Sequence, residues 1–314
     1  MVLAVAYVNG FTDAPNSVAS CVATKTLTLK KALRIAAISD FAGSITVGII
    51  NGRVTERILE LSSNGNNGDL YVVSLFSAML SVVIWAVVAS YYGIPTSESH
   101  SMLAGIFGAS VAVNQGFENI NTYKWISTLS GMILSLIFGF ISSLLFSELF
   151  DRLLKNKNVI IFDRIRVVLC IISSFLHGAQ DSQKFAGIIL SVIADSFTQN
   201  KYSEITTTFV CAIMISIGIV TGGEKIIYEV GSTLVNLNKL RGLSADLSGL
   251  VCLGVSTFSG IPVSTTHIKT SSIIGAGFVN GINYNSVIKL ILAWIITFPI
   301  CMVLSYILTL FIIK

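Results

Sequence analysis

Charge is scarce in this sequence. Of its 314 residues only 11% are Asp, Glu, Lys or Arg, less than half the roughly 25% of an ordinary soluble domain. Such a chain is not surrounded by water on all sides. Cysteine occurs five times (Cys21, Cys170, Cys211, Cys252, Cys301), each copy alone in apolar sequence and without C-x-x-C spacing. That excludes the usual zinc frameworks and predicts small buried hydrophobes, neither disulfides nor metal ligands. The net charge of +4 is spread over short loops, with no basic cluster interleaved with aromatics, which excludes a nucleic-acid partner. Proline has four copies and histidine three, so their positions carry information. The first residues lack a basic stretch and a small-residue cleavage site, and read as a membrane segment, not a removable signal peptide.

What is present is apolar length. Hydrophobic residues make up 53% of the chain, with long runs at residues 33–51, 70–92, 123–150, 206–222 and 286–313. Each is near or above the ~20 residues a helix needs to cross the hydrocarbon layer. The expected protein is all-α and multi-pass, sits in the cell membrane and has the lipid bilayer as its partner. Two polar stretches interrupt it. Residues 53–69 contain Asn64-Gly65-Asn66-Asn67-Gly68 and read as a loop, and residues 151–166 carry Arg152, Lys155, Lys157, Arg164 and Arg166. The latter reads as a basic linker on the cytoplasmic surface.

The sequence repeats itself. Asn9-Gly10-Phe11-Thr12-Asp13-Ala14-Pro15-Asn16 matches His177-Gly178-Ala179-Gln180-Asp181-Ser182-Gln183-Lys184, and Gly93-Ile94-Pro95-Thr96-Ser97-Glu98-Ser99-His100 matches Gly260-Ile261-Pro262-Val263-Ser264-Thr265-Thr266-His267. The two pairs share almost one offset, which marks an internal duplication: a first transmembrane repeat at 1–150, the linker, and a second repeat at 167–314. With five crossings per half and the N-terminus outside, Lys25, Lys30, Lys31, Arg34, the linker cations, Lys225, Lys239 and Arg241 face the cytoplasm, as the positive-inside rule requires. An odd number of crossings inverts the second half relative to the first. The expected fold is therefore two inverted-topology repeats with discontinuous or re-entrant half-helices and a substrate site between them.

The motifs carry chemistry. Asp13 and Asp181 lie at matched positions deep in apolar sequence, where a charge costs about 2.5–3.5 kcal/mol on insertion scales. Paired acids there point to a cation site, since carboxylates, amide oxygens and carbonyls freed by a broken helix are the hard ligands Na⁺ requires. Thr12, Asn16 and Gln180 stand beside them, and Pro15, or Gly10 and Gly178, would break the helix. The Gly-Ile-Pro-x-Ser motifs predict helix N-termini inside the membrane, where open N–H groups and the positive dipole end attract an anion. The hydroxyls of Thr96, Ser97, Ser99, Ser264, Thr265 and Thr266 add donors. His100 and His267 read as braces of this loop. Lys184 and Lys269 could neutralise a dianion, pair with an acid such as Glu98, or snorkel to an interface. Asp40 and Asp246 have no counterparts in the repeat, with Thr208 and Met79 at those positions, and receive no role.

These motifs resemble the inorganic phosphate transporter (PiT) family. The resemblance runs from Asn9 to about Gly277 and includes Gly260–His267 verbatim. It implies a secondary transporter and not an enzyme, moving inorganic phosphate together with Na⁺ or H⁺ by alternating access, with no resident cofactor and with homodimers among its members. It also implies Asp13, Asn16 and Asp181, with Thr12, as Na⁺ ligands, and Ser97, Ser99, Thr96, Ser264, Thr265, Thr266 and Gln180 as phosphate contacts. Sulfate or another oxyanion is the alternative cargo. An anion channel, or a membrane enzyme using Ser264 and His267, is the alternative class. Glu98 departs from the family pattern where the second copy has Thr265, and a carboxylate there repels phosphate unless it is protonated, paired with a cation or turned away.

Overall fold

The computed structural model describes residues 1–62, 68–92, 96–118, 120–154, 159–193 and 201–314. Gly93-Ile94-Pro95, most of the Asn64–Gly68 turn, Lys155 and Lys157 lie outside the described residues.

The chain is helical throughout the described residues. The first repeat runs α1 (Val2–Thr12), α2 (Asn16–Ala23), α3 (Leu29–Ile50), α4 (Arg53–Ser62), α5 (Asp69–Tyr91), α6 (Glu98–Val113) and α7 (Thr122–Leu153). The second runs α8 (Val159–Ile193), α9 (Lys201–Thr221), α10 (Glu224–Tyr228), α11 (Lys239–Phe258), α12 (Thr265–Gly277) and α13 (Tyr284–Ile313). Among the described residues α3, α5, α7, α9 and α13 are long and apolar enough to span a membrane, and these are the five runs predicted from hydropathy. By contrast α6 and α12 are only about 24 and 20 Å long at 1.5 Å per residue, too short for the ~30 Å hydrocarbon core. They are half-helices that begin in the interior.

The repeats are interleaved. α7 packs on α11 and α12 of the second repeat, while α13 packs on α5 and α6 of the first; likewise α3 packs on α8, and α9 on α1. Repeat-related residues also meet one another. Ser264 Oγ donates to Ser97 Oγ at 2.7 Å, and the rings of His100 and His267 lie 5.2 Å apart, edge to face. Positions that touch their own repeat partner lie on a two-fold axis, which here passes between the tips of α6 and α12.

Lipid gives helices no hydrophobic reason to associate, so close backbone approach at small residues must serve. A Cβ on Gly10 would overlap the backbone of Ile215 in α9, and one on Gly178 the backbone of Asp40 in α3. The motif glycines thus fit helices together, and the expected break at them is corrected. α8 passes through Gly178 and Asp181 unbroken, because no proline interrupts it. In the first repeat the break falls after Thr12, where Pro15 cannot continue the α1 ladder and instead starts α2.

Two further expectations are corrected. The linker expected at 151–166 is helical at both described ends, being the last turn of α7 and the first two turns of α8. Arg166 is not at the surface but fully buried, because it finds an acidic partner in Asp246. Cys21 and Cys170, expected as separate hydrophobes, are paired sulfur to sulfur between α2 and α8, while Cys211, Cys252 and Cys301 are free and buried.

Candidate functional site

Ser97 and Ser264 cap α6 and α12, each Oγ accepting a hydrogen bond at 3.1 Å from the backbone N–H of His100 or His267. These caps fix both half-helix N-termini tip to tip across the two-fold axis. Ser99 lies in the first turn of α6, Thr265 and Thr266 in that of α12, and all are buried together with Thr96.

The two motif acids come together against these tips, yet their partners differ. Thr266 donates its hydroxyl to Asp13 Oδ1 and accepts from Asn16 Nδ2 at 3.1 Å. Asp181 is more heavily bound. Its Oδ1 accepts from Lys184 Nζ at 2.6 Å and its Oδ2 from Asn9 Nδ2 at 2.7 Å. Lys184 places its other two donors on Ser99 Oγ and the Val263 carbonyl, both at 2.6 Å. It is 1% exposed, so neither snorkelling nor a Glu98 pairing applies. It ties the acid of the second motif to both half-helix tips.

Residues without an assigned role join this cluster. His177 Nδ1 lies 2.6 Å from Asp40 Oδ2, and its Nε2 lies 3.5 Å from Asp181 Oδ2. Asp40 and Asn9 are thus part of the site, and Asp13, His177 and Asp181 present ligand atoms within 4.8 Å of one another. Glu98 Oε1 accepts from Thr12 Oγ. It is neither cation-paired nor turned away but buried beside the acids. Gln180 donates to the Ile261 carbonyl at 2.9 Å, which places its amide at the second Gly-Ile-Pro loop.

Two properties decide what the site can hold. Among the described residues four buried carboxylates (Asp13, Asp40, Glu98, Asp181) face one lysine and one histidine. In addition Asn9 Oδ1, Asp13 Oδ2, Asn16 Oδ1, Glu98 Oε2 and Gln180 Oε1 are buried with no hydrogen-bond donor. Orphaned buried acceptors cost free energy, and a cation satisfies several at once. The donors point elsewhere, as hydroxyls and helix N–H groups at the α6 and α12 tips, where an anion is satisfied. The arrangement therefore suits a cation and an oxyanion side by side.

The comparisons with known proteins bear on the oxyanion. The family model described as the phosphate transporter family matches the chain twice, over residues 9–161 and 151–305, one match for each repeat. A protein of Bacillus subtilis described as a "probable low-affinity inorganic phosphate transporter" is 33% identical over 307 residues, covering 95% of this chain and 91% of its own. One from Rhizobium meliloti with the same description is 30% identical over 313 residues, covering 95% and 90%. A solved structure titled "The sodium-dependent phosphate transporter" shares the fold at a TM-score of 0.87, with 20% identity and coverage of 99% of this chain and 96% of that one. With phosphate as its transported substrate and a multi-pass membrane fold, the chain belongs to the phosphate transporter family.

Proposed function

We propose that the chain is a symporter in which Na⁺ is carried with inorganic phosphate by alternating access, and that Asp13, Asn16, Asp181 and Thr12, joined by Asn9 and Glu98, form the cation side. The observation that carries this reading is the set of donor-less buried oxygens among four acids and one lysine. Cations entering there balance the acids and lower the repulsion on a phosphate of charge about −1.5 to −2. Phosphate in turn lies between the tips, accepting from Ser97, Ser99 and Thr265, and from Ser264 and Thr266 once their hydroxyls turn from Ser97 and Asp13, with Thr96 and Gln180 at its edge. Thr266 couples the two sides, because its hydroxyl touches Asp13 and its ring of contacts includes Asn16. Each ligand then raises the affinity for the other by the same factor. The interleaved repeats, related by an axis through the tips, supply two equivalent halves that can rock about a fixed centre.

The test is uptake of radiolabelled phosphate into proteoliposomes under an imposed Na⁺ gradient, a pH gradient, or neither. The reading expects Na⁺-driven uptake, and both Asp13→Asn and Asp181→Asn should remove the gradient dependence. Full Na⁺-driven uptake in both variants would overturn the ion-site assignment, and uptake driven by the pH gradient alone would assign the coupling to protons. Unlabelled sulfate added in excess tests the cargo, since sulfate brings no proton for the spare Glu98 and Asp13 oxygens to accept. Cross-linking in liposomes tests the homodimer that the family resemblance implies.

A further inference from the structure

A second cluster of buried charge lies beyond the central site, toward the face where the basic loops gather. Asp246 of α11 is fully buried, with Lys269 Nζ on its Oδ1 at 2.7 Å, Arg166 Nε on its Oδ2 at 3.1 Å, and the Ser20 hydroxyl as a further donor. Lys269 is 4% exposed and Arg166 0%. Two cations thus share one acid, the reverse of the balance in the central site. Arg166 also donates through Nη1 to Thr24 and Thr26, while its Nη2 has no partner among the described residues. A buried guanidinium with an idle donor and an excess positive charge is costly unless an anion visits it.

The position of the cluster explains what would visit. Lys269 is one helical turn beyond Thr265 and Thr266, and it lines the same small cavity as Asp13, Asn16 and Thr265. A polar stripe on α2 continues from there. Asn16, Ser17, Ser20 and Thr24 recur at helical spacing, facing Ser174 and Asp246 before reaching Arg166. The stripe ends at Thr26, which donates to Asp163, itself paired with Lys239 at the exposed surface. The cluster lacks a counterpart in the first repeat, where Met102 occupies the position of Lys269 and Met79 that of Asp246. It therefore serves one side of the membrane only, and the positive-inside rule makes that side the cytoplasm.

We propose that Arg166 and Lys269 form a second, weaker oxyanion station, through which phosphate passes between the central site and the cytoplasm, with Asp246 as the built-in competitor that keeps the anion from staying. The proposal rests on the transport reading above. In Lys269→Met the pair Arg166–Asp246 remains charge-balanced, so the fold is retained. The experiment measures phosphate stoichiometry by equilibrium binding of ³²P-phosphate to the purified full chain in Na⁺, together with turnover in proteoliposomes. Wild type should bind two phosphates per chain at millimolar concentration, one several-fold more weakly. Lys269→Met should bind one, the remaining binding still dependent on Na⁺, and should transport about tenfold more slowly. Lys269→Arg, which keeps the charge, should restore both. A wild-type stoichiometry of one, or wild-type turnover in Lys269→Met, would overturn the station while leaving the symporter reading in place. Absence of any phosphate binding or Na⁺-driven uptake in wild type would instead overturn that reading.

Discussion

Replacing Lys184 by Met removes the central tie of the site while keeping the aliphatic stem. Three acceptors lose their donor at once: Asp181 Oδ1, Ser99 Oγ and the Val263 carbonyl. Breaking a buried ion pair from one side costs about 3–5 kcal/mol, because the other charge is left uncompensated. At roughly 2 °C per kcal/mol for a chain of this size, the melting temperature in Na⁺-free buffer should fall by about 6–10 °C. The loss should also depend on Na⁺. Four buried acids then lack their lysine, so cation binding to the folded state should return stability, by about 2.7 kcal/mol at a concentration of 100 Kd. The assay is thermal unfolding of the detergent-solubilised protein, followed by intrinsic fluorescence or size-exclusion, in Na⁺ and in a bulky organic cation. A melting temperature within 2 °C of wild type without Na⁺, or a deficit that Na⁺ leaves unchanged, would refute the view that Lys184 offsets acids that cations otherwise hold.

Gly178→Val should abolish folded protein, since its Cβ would overlap the Asp40 backbone. Gly249→Ala, whose Cβ meets only ordinary contacts with Lys269 and Ser272, should be tolerated; both are checked by expression in membranes and a monodisperse elution peak, and equal behaviour of the two would contradict the packing argument. Glu98→Gln should lower the Hill coefficient of Na⁺ activation and weaken discrimination against sulfate roughly tenfold, as measured by competition uptake. An unchanged coefficient together with unchanged selectivity would remove Glu98 from the cation side.

The sequence made the spans, the duplication and the paired motifs legible because each is written locally, as apolar length or as a repeated string. Asp13, Asp181 and the hydroxyls at the α6 and α12 tips were found that way, and the structure brings them together. Asp40 and Asp246 receive no role from the sequence for the same reason. A search for repeat partners favours symmetry, and these acids take part in pairings with His177, Arg166 and Lys269 that have none. A lone acid in an apolar helix is itself a signal, and weighed without the repeat it singles out both. Gly178 breaks no helix, because glycine marks close approach as well as breakage, and only the neighbouring Asp40 backbone decides which. Arg166 looked like a surface cation because its partner is eighty residues away in sequence.

The interleaving of the repeats has a consequence for biogenesis. The groove formed by α5 and α6, with Gly108 at its floor, is filled by α13, so the first half of the protein cannot finish packing until residues 284–313 have been synthesised. Until then the groove, with the Gly108 backbone at its floor, lacks the Met302 backbone that covers it. The same exchange bears on ancestry: a single-copy forebear of this design could have completed its core only by pairing with an oppositely oriented copy.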